Sequence, residues 1–291
     1  MKQYNIAVLI LAHKNEEQID KLINHLASDF DVYMHIDKKS NVFISSKQNI
    51  HVYKEYKTYW GSVNLVKATL LLLNEAFRND YDRYVLISGQ DLPIKSNKEI
   101  KDYFENNTNN YIETFKMPYK FGNFDSSMAR VTKYWPVQNF RWKDGKNFIH
   151  KIIYKIKKKL LNIPVNFKMR KLDYNFYGGS QWFNLTNWCV KKMLSYIENN
   201  PKYLKRFRFT QFSDEIFFQT LVNILNIKID NTSLRYVDWE KGPDRPRTLR
   251  IDDYQSVMNS NSLFARKFDP DIDNTVIDLI YHTISKYEKA K

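Results

Sequence analysis

From Asn5 to Ala12 the chain is almost wholly apolar, the pattern of a strand covered on both faces, and it predicts a buried strand there. Glu16 to Ala27 then places its apolar residues at helical spacing. Short apolar runs predict strands at Asp31 to Ile36, His51 to Tyr53 and Arg83 to Ile87. Between the last two, Ser62 to Phe77 predicts a long helix, with Ser62 as its N-cap and Val63, Val66, Ala68, Leu70 and Leu73 facing a core. Strands alternating with helices over residues 5–91 predict an α/β fold with a sheet flanked by helices. Further on, helices are predicted at Asn187 to Ile197, at Phe212 to Leu225 and at Thr275 to Lys289. In the last of these, Val276, Leu279, Ile280 and Ile284 share one side, as expected of a helix that closes the core.

In sheets of this kind ligands gather beyond the carboxyl ends of the strands, which sets Ala12, His13, Lys14 and Asp37 on a common rim. His13 reads equally as a simple cap on the first strand, and Asp37 as a turn carboxylate. In ISGQDLPIKS, Asp91 follows a strand and precedes Pro93, a setting that fixes a carboxylate at a strand end. A sugar-hydroxyl contact and a turn hydrogen bond stand level for it.

The segment FSDEIFFQTLVNIL puts Glu215 in the first turn of the helix predicted at Phe212 to Leu225, after Ser213 and Asp214 as its start. Free N–H groups and the helix dipole favour an ionised carboxylate in that position, and an ionised carboxylate can act as a base. Acidic residues in a first turn are also ordinary stability features. Upstream, GGSQWFNLT offers two glycines for close backbone approach, and Gln181, Trp182 and Asn184 form a polar and aromatic surface of the kind that suits a sugar. Downstream, Trp239 supplies another stacking face, while Arg247 in RPRTLR and Lys267 in LFARKFD are cations spaced along the chain. Base, aromatic platform and cations together suggest group transfer.

The 291 residues suffice for a substantial core, and with 7 glycines and 8 prolines no linker divides the chain, so one domain spanning 1–291 is expected. Cys189 is the single cysteine. No internal disulfide can form, a reducing cytosol fits, and the thiol reads as a buried helical residue and not a nucleophile. The apolar run at Ile6 to Ala12 is too short to cross a bilayer and lacks a signal-peptide cleavage pattern.

A net charge of +14 makes anionic partners a serious prospect. Nucleic acid is disfavoured, because zinc-finger spacing, basic heptads and RNA-recognition signatures are all missing. The basic segment at residues 150–172 mixes isoleucines and leucines with lysines. It reads either as a peripheral contact with an anionic membrane or as a core helix with a solvated basic face. There is no G-x-G-x-x-G, P-loop or H-E-x-x-H. Asp252 and Asp253 would point apart on an extended segment, so a metal pair there is not expected.

Several ordered pieces resemble the core-2/I-branching glycosyltransferase family, which includes branching N-acetylglucosaminyltransferases and peptide xylosyltransferases. They are HIDKKS, YWGSVNLVKATLLLL, ISGQDLPIKS, GGSQWFNLT, SDEIFFQTL, RYVDW and LFARKFDPDID, and the resemblance that rests on them covers most of the chain. The resemblance implies a GT-A-like nucleotide-sugar-binding fold with a central mixed sheet, inversion at the anomeric centre and no metal; HIDKKS carries one carboxylate in place of an Asp-x-Asp pair. It implies Glu215 as catalytic base and Arg247 with Lys267 as the cations on the donor diphosphate. It places Asp37 on the donor side and Trp239 at the acceptor sugar; with the rim and the aromatic surface already read from the residues, Ala12, His13 and Trp60 are expected on the donor side and Asp91, Gln181 and Trp182 on the acceptor side. The donor half is expected at about 1–115 and the acceptor and catalytic half at about 116–291. Residues 123–170 follow no motif of the family.

The resulting expectation is a metal-independent, cofactor-free enzyme that moves a sugar from a UDP-sugar, N-acetylglucosamine first, to a glycan or lipid-linked glycan. Lacking the anchor and disulfides of the animal enzymes, it resembles a bacterial-type member making surface polysaccharide in the cytoplasm, peripheral to the inner face of the membrane. The rivals are a metal-dependent transferase or one using xylose, glucose or galactose, and a noncatalytic protein that binds anionic membranes or polyanions.

Overall fold

Ile6–Ala12 forms β1, and all seven residues are buried, as a strand inside a covered parallel sheet requires. The fold comes from a computed structural model that describes residues 4–121, 124–125, 128–135, 152–153, 155–156, 159–160, 170–239 and 246–289. On one side β1 pairs in parallel with β2 (Asp31–Ile36), and β3 (Ile50–Tyr53) lies parallel outside β2. On the other side it pairs in parallel with β4 (Arg83–Ser88), in a register that sets Leu11 opposite Ser88. β5 (Asp91–Pro93), which follows β4, belongs to a different sheet.

Beyond β4 the sheet changes direction. β6 (Asn110–Ile112) lies two places away, joined to β4 through an antiparallel strand that arrives much later in the chain. Short ladders pair β7 (Phe115–Lys116) with β10 (Tyr177–Gly178), and β8 (Lys120–Phe121) with β9 (Phe124–Asp125). The inserted antiparallel strand is β11 (Phe183–Thr186), and β12 (Ile229–Asp230) completes a seven-stranded order β12-β6-β11-β4-β1-β2-β3. This is the expected α/β architecture with a central mixed sheet. Strands from both sides of residue 115 share it.

Helix α1 (Glu16–Leu26) and α3 (Asn97–Asn106) cover one face of the sheet, while α2 (Val63–Phe77) and the helices Asn187–Asn199 and Phe217–Ile224 cover the other. Ser62 stands at the N-cap of α2 with extended backbone, although its side chain makes no cap bond and instead accepts from the Tyr59 N–H at 3.3 Å. A second, three-stranded sheet orders β13 (Arg235–Val237), β14 (Phe264–Arg266) and β5. Leu92, Leu249, Ala265 and Phe268 form a third core there with Val276, Ile277 and Ile280, so the helix Asn274–Lys289 closes this smaller unit. The small sheet ties the Asp91 loop to the C-terminal motif.

The expected helix at Phe212 to Leu225 is broken. Phe212 has left-handed backbone (φ 52°), Ser213–Glu215 forms one 3-10 turn, and the α-helix starts only at Phe217. Ser213 makes no side-chain cap bond. Likewise Asp252 and Asp253 lie in a 3-10 turn and not on an extended segment. Most of the basic segment 150–172 lies outside the described residues.

Candidate active site

At the carboxyl ends of β1 and β2 the rim is built by hydrogen bonds between loops. The Asp37 N–H donates to Ala12 O at 2.9 Å, and Ser40 Oγ donates to His13 O at 2.8 Å. Asp37 is buried, and its carboxylate accepts from the Lys39 N–H (3.0 Å), the Lys39 ammonium (2.5 Å) and the Thr58 N–H (3.2 Å). Burial pulls this carboxyl upward, yet those three donors outweigh it and hold the group below the ordinary carboxylate range. Asp37 thus organises the loop that runs on to Tyr59, whose ring lies 4.2 Å beneath Lys39 Nζ. Behind it, burial pushes His35 down to about 4 against the pull of Asp37, and the neutral imidazole accepts the Tyr56 N–H at 3.0 Å. Lys14 pairs with Asp269 at 2.5 Å, which brings the LFARKFDPDID stretch to the same rim.

The chain from Tyr59 leads directly to Glu215. Gly61 adopts φ +73°, and a Cβ there would stand 2.7 Å from the Phe212 ring, so only glycine allows this approach. Trp60, 43% exposed, meets Phe212 edge to face at 4.6 Å, and the Ser213 N–H reaches Gly61 O at 3.4 Å. On the far side the Gly179 N–H donates to Glu215 O at 2.9 Å. A Cβ on Gly179 would lie 2.0 Å from Glu113 O, so only glycine fits between Glu113 and the Glu215 segment.

Glu215 keeps 27% of its side chain accessible and faces Arg130, with Nη1 to Oε2 at 3.3 Å. Burial raises its carboxyl, opposed by the charge and hydrogen bond of Arg130 and by the charge of Arg266. The helix-terminus argument for an easily ionised carboxylate therefore does not describe this site: the group precedes the α-helix, and desolvation dominates. Next to it, buried Asp214 is pushed up to about 8 by burial first and by the Glu215 charge second.

Asp91 is wholly buried. It accepts from Ser88 Oγ at 2.6 Å and stands between Arg235 Nε (3.8 Å) and Arg266 Nε (3.7 Å). Arg266 in turn lies over the Trp182 ring at 4.4 Å. The carboxylate thus has no open face for a ligand and meets the site through Arg266. Trp182 is itself buried, its face taken by the guanidinium, while Gln181 is partly exposed in the preceding bend.

Arg247 is held by two carboxylates: Nε donates to Asp238 at 2.7 Å, and Nη1 and Nη2 donate to Asp253 at 2.8 and 2.5 Å. The Asp253 hydrogen bonds raise its already high pKa, despite some opposition from burial, and Asp238 adds to the rise. The Leu249 N–H donates to Lys267 O at 3.0 Å, so the backbones bearing Arg247 and Lys267 run side by side. Trp239, 47% exposed, follows Asp238 directly.

The structure therefore brings Trp60 and the GGS turn to the segment that carries Glu215, Lys14 and Ala12 to the rim, and the backbone two residues after Arg247 to Lys267. Arg130, Arg266 and Phe212 were not anticipated. Arg266 had a local signal, since it stands beside Lys267 in a quoted motif; Arg130 had none. Cys189 is buried, and burial pushes its thiol up to about 12, as suits an inert core residue. Among the described residues no group of three or more His, Cys, Asp or Glu is placed to hold a metal ion, and no helix is long and apolar enough to cross a membrane.

The sequence model of the Core-2/I-branching enzyme family matches residues 6–260. Among curated proteins, a beta-glucuronosyltransferase of Arabidopsis thaliana is 23% identical over 81% of this chain and 53% of its own length. A Caenorhabditis elegans xylosyltransferase is 23% identical over 91% of the chain and 35% of its own length. A human beta-1,3-galactosyl-O-glycosyl-glycoprotein beta-1,6-N-acetylglucosaminyltransferase is 23% identical over 93% and 67%. The chain spans about half the length of the plant enzymes it matches.

Proposed function

The chain belongs to the Core-2/I-branching enzyme family, and from that premise we propose that it is an inverting, metal-independent glycosyltransferase acting on a UDP-sugar. The acceptor hydroxyl gives its proton to the Glu215 carboxylate as its oxygen bonds to the anomeric carbon. The bond from that carbon to the diphosphate oxygen breaks, and UDP departs as the anion. Arg247 and Lys267 stabilise the charge gathering on the diphosphate, with Arg247 exchanging part of its hold on Asp238 and Asp253 for phosphate oxygens. The rim at Ala12, His13 and Asp37 takes the nucleoside, Trp60 borders the donor beside the base, and Trp239 with Gln181 faces the acceptor sugar. Trp182 and Asp91 act from behind by holding Arg266.

The observation that carries this reading is the setting of Glu215. It is a partly open carboxylate, anchored through its backbone by Gly179 and faced by Arg130, where the rim loop and the GGS turn converge. N-acetylglucosamine is the first sugar to test, because one relative is named for transferring it. Glucuronic acid and xylose follow from the names of the others, and glucose and galactose complete the screen. Thermal shift with each nucleotide sugar identifies the donor, since binding to the native state raises apparent stability by mass action, and transfer assays with and without excess chelator then test the chemistry. Loss of transfer in chelator with return on adding manganese favours the metal-dependent rival.

We also propose a peripheral contact with anionic membrane, which suits a lipid-linked acceptor and a place at the inner face of a bacterial membrane in surface polysaccharide synthesis. Residues 152–153, 155–156 and 159–160 are helical, and Ile152, Ile156 and Leu160 recur at helical spacing with 38, 51 and 56% exposure, beside exposed Lys155 and Lys159. Apolar side chains open to solvent amid lysines are the composition that a charged bilayer surface accepts.

A further inference from the structure

We propose that Arg130 is a positioning residue that fixes the orientation and negative charge of Glu215, and that Phe212, wedged between Arg130 and Trp60, fixes Arg130. This inference rests on the reading of Glu215 as the base.

Arg130 meets the base segment at three successive points. Its backbone O accepts the Gln211 N–H at 3.3 Å, its guanidinium lies over the Phe212 ring at 4.5 Å, and Nη1 reaches Glu215 Oε2 at 3.3 Å. The side chain is only 9% exposed, so the charge acts where water screens it weakly. The short helix α4 (Ala129–Thr132), which carries it, is further stitched to this segment by the Trp135 N–H donating to Phe209 O at 3.0 Å. Phe212 is equally constrained, with its left-handed backbone set against Gly61 and its ring against Trp60. A guanidinium held over a ring face by cation–π attraction is restricted in its freedom, which limits where its donors point.

Among the described residues, the charged groups acting on Glu215 from around it are Arg130 on α4, Arg266 on β14 and Asp214 on its own turn. Near the glycine turn stand Tyr119, whose hydroxyl lies 2.9 Å from where a Gly178 Cβ would be, and Glu113, whose carboxylate accepts from Ser233 Oγ at 2.8 Å. Arg266 already has Asp91 at 3.7 Å and the Trp182 face at 4.4 Å, whereas Arg130 touches the Glu215 carboxylate directly. Of the two cations, Arg130 therefore controls where the lone pair of the base points and over what pH range it is available.

The test compares wild type, Arg130→Met, Arg130→Lys and Phe212→Leu in the full chain. Two readouts are used: the pH dependence of kcat with a soluble acceptor, and the carboxyl titration of Glu215 by carbon-13 NMR, assigned with Glu215→Gln. Losing a cation within contact distance should raise the Glu215 midpoint by about one pH unit or more in Arg130→Met. The acid limb of kcat should move up with it, so that activity lost at neutral pH returns in part at higher pH. Donor KM should change much less than kcat. Arg130→Lys keeps the charge and loses the fork, so its shift should be smaller, and Phe212→Leu should shift both readouts in the same direction. Melting curves identify folded variants; if Arg130→Met does not fold, Arg130→Lys and Phe212→Leu decide. An unmoved Glu215 midpoint and acid limb in folded variants would overturn the proposal and leave Arg130 a packing residue. The base reading fails separately if Glu215→Gln keeps normal turnover, and the NMR titration still reports on Arg130 in that event.

Discussion

Arg247 and Asp253 form a two-point ion pair, with Nη1 to Oδ2 at 2.8 Å and Nη2 to Oδ1 at 2.5 Å, and Asp238 accepts from Nε on the same guanidinium at 2.7 Å. The planar fork that suits a carboxylate also suits a phosphate. Arg247 is thus held in its charged form, and on the proposed reading a diphosphate would displace part of its hold on Asp238 and Asp253.

Arg247→Ala and Lys267→Ala should each weaken UDP binding and slow transfer. The larger loss should fall in turnover if the charge they meet is concentrated in the transition state. Because the Leu249–Lys267 hydrogen bond sets the two backbones side by side, the double variant should depart from additivity. Isothermal titration with UDP and steady-state kinetics check this, and wild-type kinetics in both single variants would remove the two residues from the diphosphate site.

Asp214 should make stability fall as pH rises. Its folded value of about 8 lies above the ordinary 3.8, so the native state holds the proton more tightly than the unfolded chain does. The stabilising contribution is complete below about pH 4 and is lost progressively as pH climbs through about 8. Melting temperature measured across that window should decline in wild type, and Asp214→Asn, which cannot ionise, should flatten the decline.

Neutralising Lys155, Lys157, Lys158 and Lys159 together should weaken binding to phosphatidylserine-containing vesicles and flatten its salt dependence, while transfer to a short soluble acceptor persists. Vesicle flotation over a salt series measures both effects. Unchanged binding would assign the lysines to a solvated face.

The four parallel strands β1 to β4 were legible, and in β1, β2 and β4 this is because burial is nearly continuous, whereas the short strands β6, β11 and β12 of the same sheet carried no pattern that predicted them. Asp31 to Ile36 is predicted and found with identical ends, and Ile6–Ala12 differs from its prediction by one residue. Local pattern failed where tertiary contacts override it. At Phe212 the helical spacing of the following apolar residues hid a left-handed residue, imposed by packing against Gly61, Trp60 and Arg130. The Arg130–Glu215 pair spans 85 positions, and no periodicity within either segment encodes it. The ionisation of Glu215 was likewise unreadable in advance, since first-turn chemistry argues one way and desolvation, which depends on the whole fold, argues the other. Asp91 was placed at a strand end as expected, but its two arginine neighbours come from β13 and β14, more than a hundred positions later in the chain.

The most direct test of the central claim is single-turnover transfer by Glu215→Gln, measured with donor affinity and melting temperature on the same preparation. The amide keeps the shape of the carboxylate but cannot accept the proton. Transfer should fall roughly 100-fold or more, the usual scale for a positioned base, with donor binding and fold retained. Near-normal transfer by a folded, donor-binding Glu215→Gln would contradict the account.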